Sequence, residues 1–402
     1  MFGFRQFPGF FGRFFNSFKG FFSRPQLGNF KRLVVGLIVS DGKNIQEINS
    51  VFGDRDQSSL NRFVTQSSWD FEEFDGRRLR FAVKHFGSRN EGFIVLDDTV
   101  TKKFGRKMEK ANYHRSGVTK CKEWGHCFVD TLYVEPDSGV MYPVKISSYL
   151  RNVDADEKNP FRTKRCIALE QIDFAIANGV RAGGVMADAW YYSEDFVKEL
   201  KLRGLKYFLG MRTTIKISIK REKRISIAEY LETLMEKDFT KHEFKNGTYF
   251  LHSKEVSIRG DGKETLLISY KKGDEKNIKC YVTNYHKWKT FKYMKTLLKR
   301  WSIECLHRDT KQHLGLEKYQ VRKYRGMQAV ALAILAAYTL LILNKSPTLL
   351  KKFRPLQTIG EMCRFTKLCT QKTTYWLKKT FKNHNTGRKI LNQYILVKNA
   401  KV

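Results

Sequence analysis

Gly326–Leu343 (GMQAVALAILAAYTLLIL) runs for 18 residues without a charge. A helix of that length is at the lower limit for crossing a bilayer; otherwise protein must surround it on every side. The segment is Ala-rich, follows a basic polar stretch directly and has no matching second span. It is therefore expected as the central helix of a large domain, not a membrane segment. A chain of 402 residues can supply such a surround, with two or three domains and a substantial core.

The rest of the chain is strongly basic. It carries 75 Lys and Arg against 40 Asp and Glu, a formal charge of +35. Such an excess repels itself in a compact state and makes sense mainly beside a polyanion, nucleic acid before anionic membrane. From Lys345 to Val402 there are 14 Lys/Arg and one acid, Glu361, but Phe353, Phe365, Tyr375, Trp376 and Phe381 are interleaved, which predicts folded helices. The seven cysteines form no CxxC pair and no zinc spacing, which fits a reduced, cytoplasmic setting. Met1–Arg24 has no continuous apolar h-region; its phenylalanines recur at helical spacing and predict a helix packed on the protein. Asn29–Val39, Asn44–Phe52 and Asp56–Gln66 read as three short helices, a pattern that fits a helix-turn-helix or an ordinary helical cover.

Phe93-Ile94-Val95-Leu96 predicts a buried strand ending in Asp97-Asp98-Thr99. His126–Glu135 and Val140–Leu150, joined by Pro136-Asp137-Ser138-Gly139, predict a hairpin. A helix over Phe161–Asn178, a strand over Gly183–Ala187 ending in Asp188, a helix over Glu194–Leu202 and a strand over Tyr207–Met211 follow. The order β-β-β-α-β-α-β puts acids at strand C-termini, where open α/β sheets place their sites. A lone Asp after a strand is commonly a cap or turn residue; the joint pattern is harder to dismiss. Thr213–Lys289 alternates with period two, has turns at Asn246-Gly247, Asp261-Gly262 and Lys272-Gly273, and predicts a β insertion with one helical piece at Ser226–Lys237.

Arg300–Lys311 reads as one amphipathic helix. Arg300, Glu304, His307 and Lys311 fall on one polar stripe that Tyr293 continues, while Met294, Leu298, Trp301 and Cys305 are expected to face a core. A carboxylate between two cations suits metal and phosphate binding, although an i,i+4 ion pair on a solvated face has the same spacing.

Strand-Asp, strand-Asp, β insertion and helix-Glu resemble the DDE transposases of prokaryotic insertion sequences. In particular they resemble the cut-and-paste group with a β insertion in an RNase H-like core and a Tyr-x2-Arg-x3-Glu-x6-Lys signature. Arg300, Glu304 and Lys311 match the last three signature positions; Leu297 stands at the Tyr position and Tyr293 lies one turn away. Leu96-Asp97-Asp98-Thr99, Trp124–Phe128 and Lys311–Leu316 are similar too. The resemblance, which covers roughly Gln26 to Leu343, and the patterns above together predict an α/β fold: a helical N-terminal DNA-binding region over 1–90, an RNase H-like mixed-sheet core over 91–212 and 291–344, a β-rich insertion over 213–290 and a basic helical region over 345–402. It implies two magnesium ions, replaceable by manganese, on Asp98, Asp188 and Glu304, with Arg300, Lys311, Tyr293 and His307 on DNA phosphates. Its partners would be double-stranded element-end and target DNA, bound by a homodimer in the nucleoid-associated cytoplasm, with no membrane. Strand alternation puts Asp97 and Asp98 on opposite faces without choosing between them, because Ile94, Val95 and Leu96 are apolar on both. The resemblance favours Asp98, the acid before Thr99, and leaves Asp97 a supporting acceptor. Trp288 could hold a flipped base or pack the insertion on the core. The rival functions are a metal-dependent nuclease such as a junction resolvase, and a catalytically silent DNA-binding protein derived from a transposase.

Overall fold

The computed structural model describes residues 9–52, 56–87, 91–117, 119–219, 224–258, 263–343 and 358–367. Five helices open it: α1 (Gly9–Asn16), α2 (Arg24–Val39), α3 (Ile45–Ser50), α4 (Gln57–Thr65) and α5 (Phe71–Phe86). Each of α2 to α5 starts where a short polar side chain can take an orphan amide: Ser23 in a capping box with Gln26, then Asn44, Asp56 and Asp70. Phe14, Phe15, Phe18, Phe22, Phe30 and Phe74 are all buried. They meet edge-on or offset, with Phe18 and Phe74 centroids 5.0 Å apart. The helical phenylalanine spacing therefore closes a core under α2 and α5, as expected of a packed helix; Phe4 and Phe7 lie outside the described residues.

The sheet follows. β1 (Gly92–Lys102), β2 (Asn112–Arg115), β3 (Lys122–Val134) and β4 (Met141–Tyr149) lead into α6 (Lys164–Ala177), β5 (Ala182–Ala187), α7 (Glu194–Leu202) and β6 (Lys206–Gly210). β3 pairs antiparallel with β1 and with β4, while β5 runs parallel to both β1 and β6. The resulting order β4-β3-β1-β5-β6 is an antiparallel meander joined to parallel βα units, the RNase H-like arrangement expected from the sequence. β2, a short strand on the lower half of β3, was not expected.

The chain then passes β7 (Lys216–Ile217), β8 (Ile225–Ser226) and α8 (Ile227–Glu232) before β9 (Thr240–Phe244), β10 (Gly247–Val256), β11 (Glu264–Lys271) and β12 (Asp274–Thr283). β12 pairs with β6, so β12-β11-β10-β9 extends the core sheet. The turns at Asn246-Gly247 and Lys272-Gly273 lie where the sequence puts them; Asp261-Gly262 lies outside the described residues. α9 (Thr290–Leu297), a 3-10 turn at Leu298–Arg300, α10 (Trp301–Gln312) and α11 (Tyr324–Leu343) complete the core. A further helix covers 359–367; the rest of the basic C-terminal stretch lies outside the described residues.

α11 is the uncharged segment. It is the one helix among the described residues long and apolar enough to span a membrane, and 94% of its window is buried inside the protein. It packs against α2, α4, α5, α10 and β4, and so joins the helical region to the sheet. One apolar cluster accordingly runs from Phe11 to Cys363.

Candidate active site

Register decides which side chains meet. Asp97 pairs with Asp130 across β1 and β3, so both side chains leave the sheet on the same face. His307 of α10 reaches Asp130 there, Nε2 to Oδ2 2.9 Å, and this identifies the face as the one α10 covers. On the parallel side Val95 pairs with Met186; two residues further along each strand stand Asp97 and Asp188. The same alternation brings both acids to the α10 face at the strand C-termini. Asp98 points the other way. It takes a 2.6 Å ion pair from Lys164, at the start of α6, and lies 3.8 Å from the Cys127 sulfur.

Electrostatically the three acids remain coupled. Burial pushes the Asp97 carboxyl up to about 7; Asp188 and Asp98 push the same way, while His307 and Arg300 oppose them. Burial also raises Asp188, helped by Asp98 and opposed by the Trp190 amide that donates to its Oδ1 at 2.9 Å and by Arg300. Asp97 and Asp188 are thus buried like charges within reach of one guanidinium. Arg300 donates to Glu304 at 3.0 Å, and Glu304 is the more open partner, with 38% of its side chain exposed against 13%. Behind the acids the Tyr191 hydroxyl is buried without a hydrogen-bond partner among the described residues.

Several expectations for α10 and its approach need correction. The polar stripe is interrupted by the 3-10 turn, and the core face is Ile303, Leu306 and Thr310. Trp301, expected inside, is 59% exposed, and Cys305 is only half-buried. Tyr293, expected on DNA phosphate, is buried and its hydroxyl donates to the Tyr285 carbonyl at 2.8 Å. A ring packed under α9 has no route to a backbone phosphate. His307, also expected on phosphate, is turned into the sheet toward Asp130. Leu297, at the signature Tyr position, is buried as well. Lys311 donates to the Val100 carbonyl at 2.8 Å and pairs with Glu317 at 3.1 Å, beside β1. Trp288 is half-buried against Tyr285, centroids 4.2 Å apart, and against Tyr293 at 5.5 Å and Phe208 at 5.8 Å. Asp130, Lys164 and Tyr191 were not singled out from the sequence; a strand register links Asp130 to Asp97, whereas Lys164, at the start of α6, and Tyr191, in the loop after β5, come near the acids only through the tertiary fold.

Among the described residues no three His, Cys, Asp or Glu side chains stand together as a ready ligand set. The donors still fit a hard divalent cation. They are carboxylates, burial and neighbouring acids raise two of them, a cost that a cation would relieve, and Glu304 needs only to leave Arg300.

Comparison with known proteins identifies the scaffold. The family described as "DDE superfamily endonuclease" matches residues 14–227, more than half of the chain. This chain belongs to the DDE endonuclease superfamily. A second family, "Archaeal putative transposase ISC1217", matches residues 139–351, so the two matches together take in the helical region, the sheet and α11. The "Probable transposase for insertion sequence element IS701" of Microchaete diplosiphon is 27% identical over 194 residues, 47% of this chain. The chain spans about half the length, 50%, of this curated relative. The resemblance read from the sequence and its RNase H-like core are both borne out. DDE endonucleases are generally dependent on divalent metal ions and act on DNA.

Proposed function

We propose that this protein is a DNA transposase that cuts the ends of its own mobile element and joins them to target DNA by phosphoryl transfer. The observation that carries the reading is the register that sends Asp97 and Asp188 to one face, under the helix bearing Arg300 and Glu304. We assign the acidic triad to Asp97, Asp188 and Glu304. This moves the first position from Asp98, which Lys164 already neutralises on the opposite face. Magnesium, or manganese in its place, would be held by these three carboxylates as two ions and would supply an activated water or 3′-hydroxyl and a stabilised leaving oxygen.

The chain's own groups have separable tasks. Arg300 presents a planar guanidinium that a phosphate can take from Glu304, freeing that carboxylate as DNA arrives. Lys311 holds the end of α10 against β1 through Val100, pairs with Glu317 and has one donor left to offer a phosphate. The Trp190 amide fixes the Asp188 carboxylate. α2, α3 and α4 form the three-helix unit that would read element-end DNA, and Asn61 and Arg62 are exposed on α4. The acting species would be a homodimer on two ends in the cytoplasm. The excess of positive charge would bind both ends and target through phosphates.

Asp188→Asn and Glu304→Gln test the reading. Each should abolish strand cleavage of an element-end duplex in magnesium while end binding stays within about threefold, since phosphate contacts survive loss of a carboxylate. Near-normal cleavage by either variant would remove that residue from the triad. Cleavage without joining would favour the nuclease reading, and binding without cleavage by the native protein the silent one.

A further inference from the structure

Beyond the acids, β1 continues to Lys102 and the chain turns back through β2 into β3. The tip of this ribbon is built around one arginine. Arg106 lies over the Trp124 ring at 4.9 Å and the Tyr113 ring at 5.5 Å, and donates to the Tyr113 hydroxyl at 2.9 Å. Trp124 in turn donates from Nε1 to the Gly105 carbonyl at 3.1 Å, and Tyr113 and Trp124 are cross-strand partners. The base of the turn is anchored by buried Lys103, whose Nζ donates to the Glu317 carbonyl at 2.8 Å and the Tyr319 carbonyl at 3.2 Å. The turn is therefore held from both sides. What it holds outward is Phe104, 87% exposed, the most exposed large apolar side chain among the described residues.

The surroundings of that ring are cationic. Lys102, Arg106, Lys107, Arg115, Lys120 and Lys122 are all exposed. Arg115 pairs with Lys122 in the register that pairs Tyr113 with Trp124, so these four side chains share one face of the ribbon. Two cations directly opposite each other are unfavourable in isolation. Glu109, an exposed acid at this tip, is already taken by Lys323 at 2.8 Å. A rigid, exposed phenyl ring on an arginine–aromatic stack, ringed by unmatched cations, is a surface for a polyanion that also offers an apolar slot. Duplex DNA supplies both: phosphates outside and a base step within.

The geometry points to this ribbon tip as a DNA wedge, with Phe104 inserting between base pairs and Arg115 and Lys122 gripping the flanking phosphates. The inference rests on the transposase reading for its duplex, and adds where that duplex is bent. Phe104 is seven residues beyond Asp97. At about 3.3 Å per residue it stands at most about 23 Å along the strand from that acid, the length of about seven base pairs. The duplex is therefore kinked within about two-thirds of a turn of the cut phosphate, which lifts the strand into the acidic face while the body of the duplex stays on the basic surface.

Full-length protein and a dye-labelled duplex about three helical turns long test this, with anisotropy for affinity over a salt series and end-to-end energy transfer for bending. Phe104→Ala should weaken binding about tenfold and abolish the bend with an unchanged salt slope, because the ring carries no charge. Arg115→Ala with Lys122→Ala should lower the salt slope by about 0.9 for each cation removed. Melting temperatures should not move, since Phe104 touches solvent on nearly every side. Native-like affinity, slope and bending in both proteins would overturn the wedge, as would a lower melting temperature for Phe104→Ala. If the variants behave as expected but native protein cleaves no element end in magnesium or manganese, the wedge stands and the transposase reading falls. Native protein that binds no duplex overturns both.

Discussion

His126 sits between the Tyr319 hydroxyl, 2.7 Å from Nδ1, and the Glu109 carbonyl, 3.0 Å from Nε2. Burial holds its pKa down at about 4, against 6.5 in an open chain. Below pH 6.5 the unfolded chain takes up a proton that the folded one refuses, so this residue's stabilisation is complete above pH 6.5 and is lost as pH falls toward 4. At pH 5 the loss is about 2 kcal/mol. His126→Gln should remove that part of the acid sensitivity, leaving the share of His114, which burial also lowers to about 4. Urea midpoints at pH 7 and pH 5 measure it; an identical pH dependence in variant and native protein would mean that the ring titrates freely. Trp288 gives a second prediction at this scale. Its contacts with Tyr285, Tyr293 and Phe208 make it a packing residue, so Trp288→Ala should cost about 2–3 kcal/mol of stability. An unchanged melting temperature together with slowed cleavage would return it to base flipping.

Among elements, α5 carries the most consequential buried charge. Arg78 is fully buried, pairs with Asp75 at 2.6 Å, and donates to the Pro143 carbonyl at 2.9 Å and the Thr339 hydroxyl at 3.0 Å. It thus ties α5 to β4 and α11. Arg78→Met should destabilise by about 3–5 kcal/mol by leaving Asp75 buried and unpaired, and adding Asp75→Leu should recover much of that. Thermal denaturation of the single and double variants decides; equal stability of the two would show that the pair is not coupled. The elements also mark how far the sequence can be read. The helix starts at Asn44 and Asp56, the strand before Asp97, the strand before Asp188 and the Asn246-Gly247 turn follow local rules, and each lies close to its expected position. The side chosen by Asp97 does not. Ile94, Val95 and Leu96 are buried on both faces, so nothing local distinguishes the acids, and only pairing with Asp130 and the placement of Lys164 separate them. α10 misled for a related reason. Its exposed Trp301 looks like core, and its Asp309 is buried.

For the whole molecule, the insertion does not stand apart from the catalytic sheet. β12 pairs with β6 next to the parallel strands, and α9 returns from the sheet edge to place α10 over β1 and β3. Residues just over two hundred positions apart, Asp97 and Glu304, are brought to one face by this path, with α11 as the shared floor. The formal +35 charge fits the proposed role, in which a basic surface would bind phosphates over the buried acidic face. The most direct measurement compares Asp97→Asn and Asp98→Asn proteins for cleavage of an element-end duplex at saturating manganese. Loss of cleavage in the Asp97 variant, with activity retained in the Asp98 variant, is the predicted result. Cleavage retained by Asp97→Asn and lost by Asp98→Asn would contradict it and move the site to the Lys164 face.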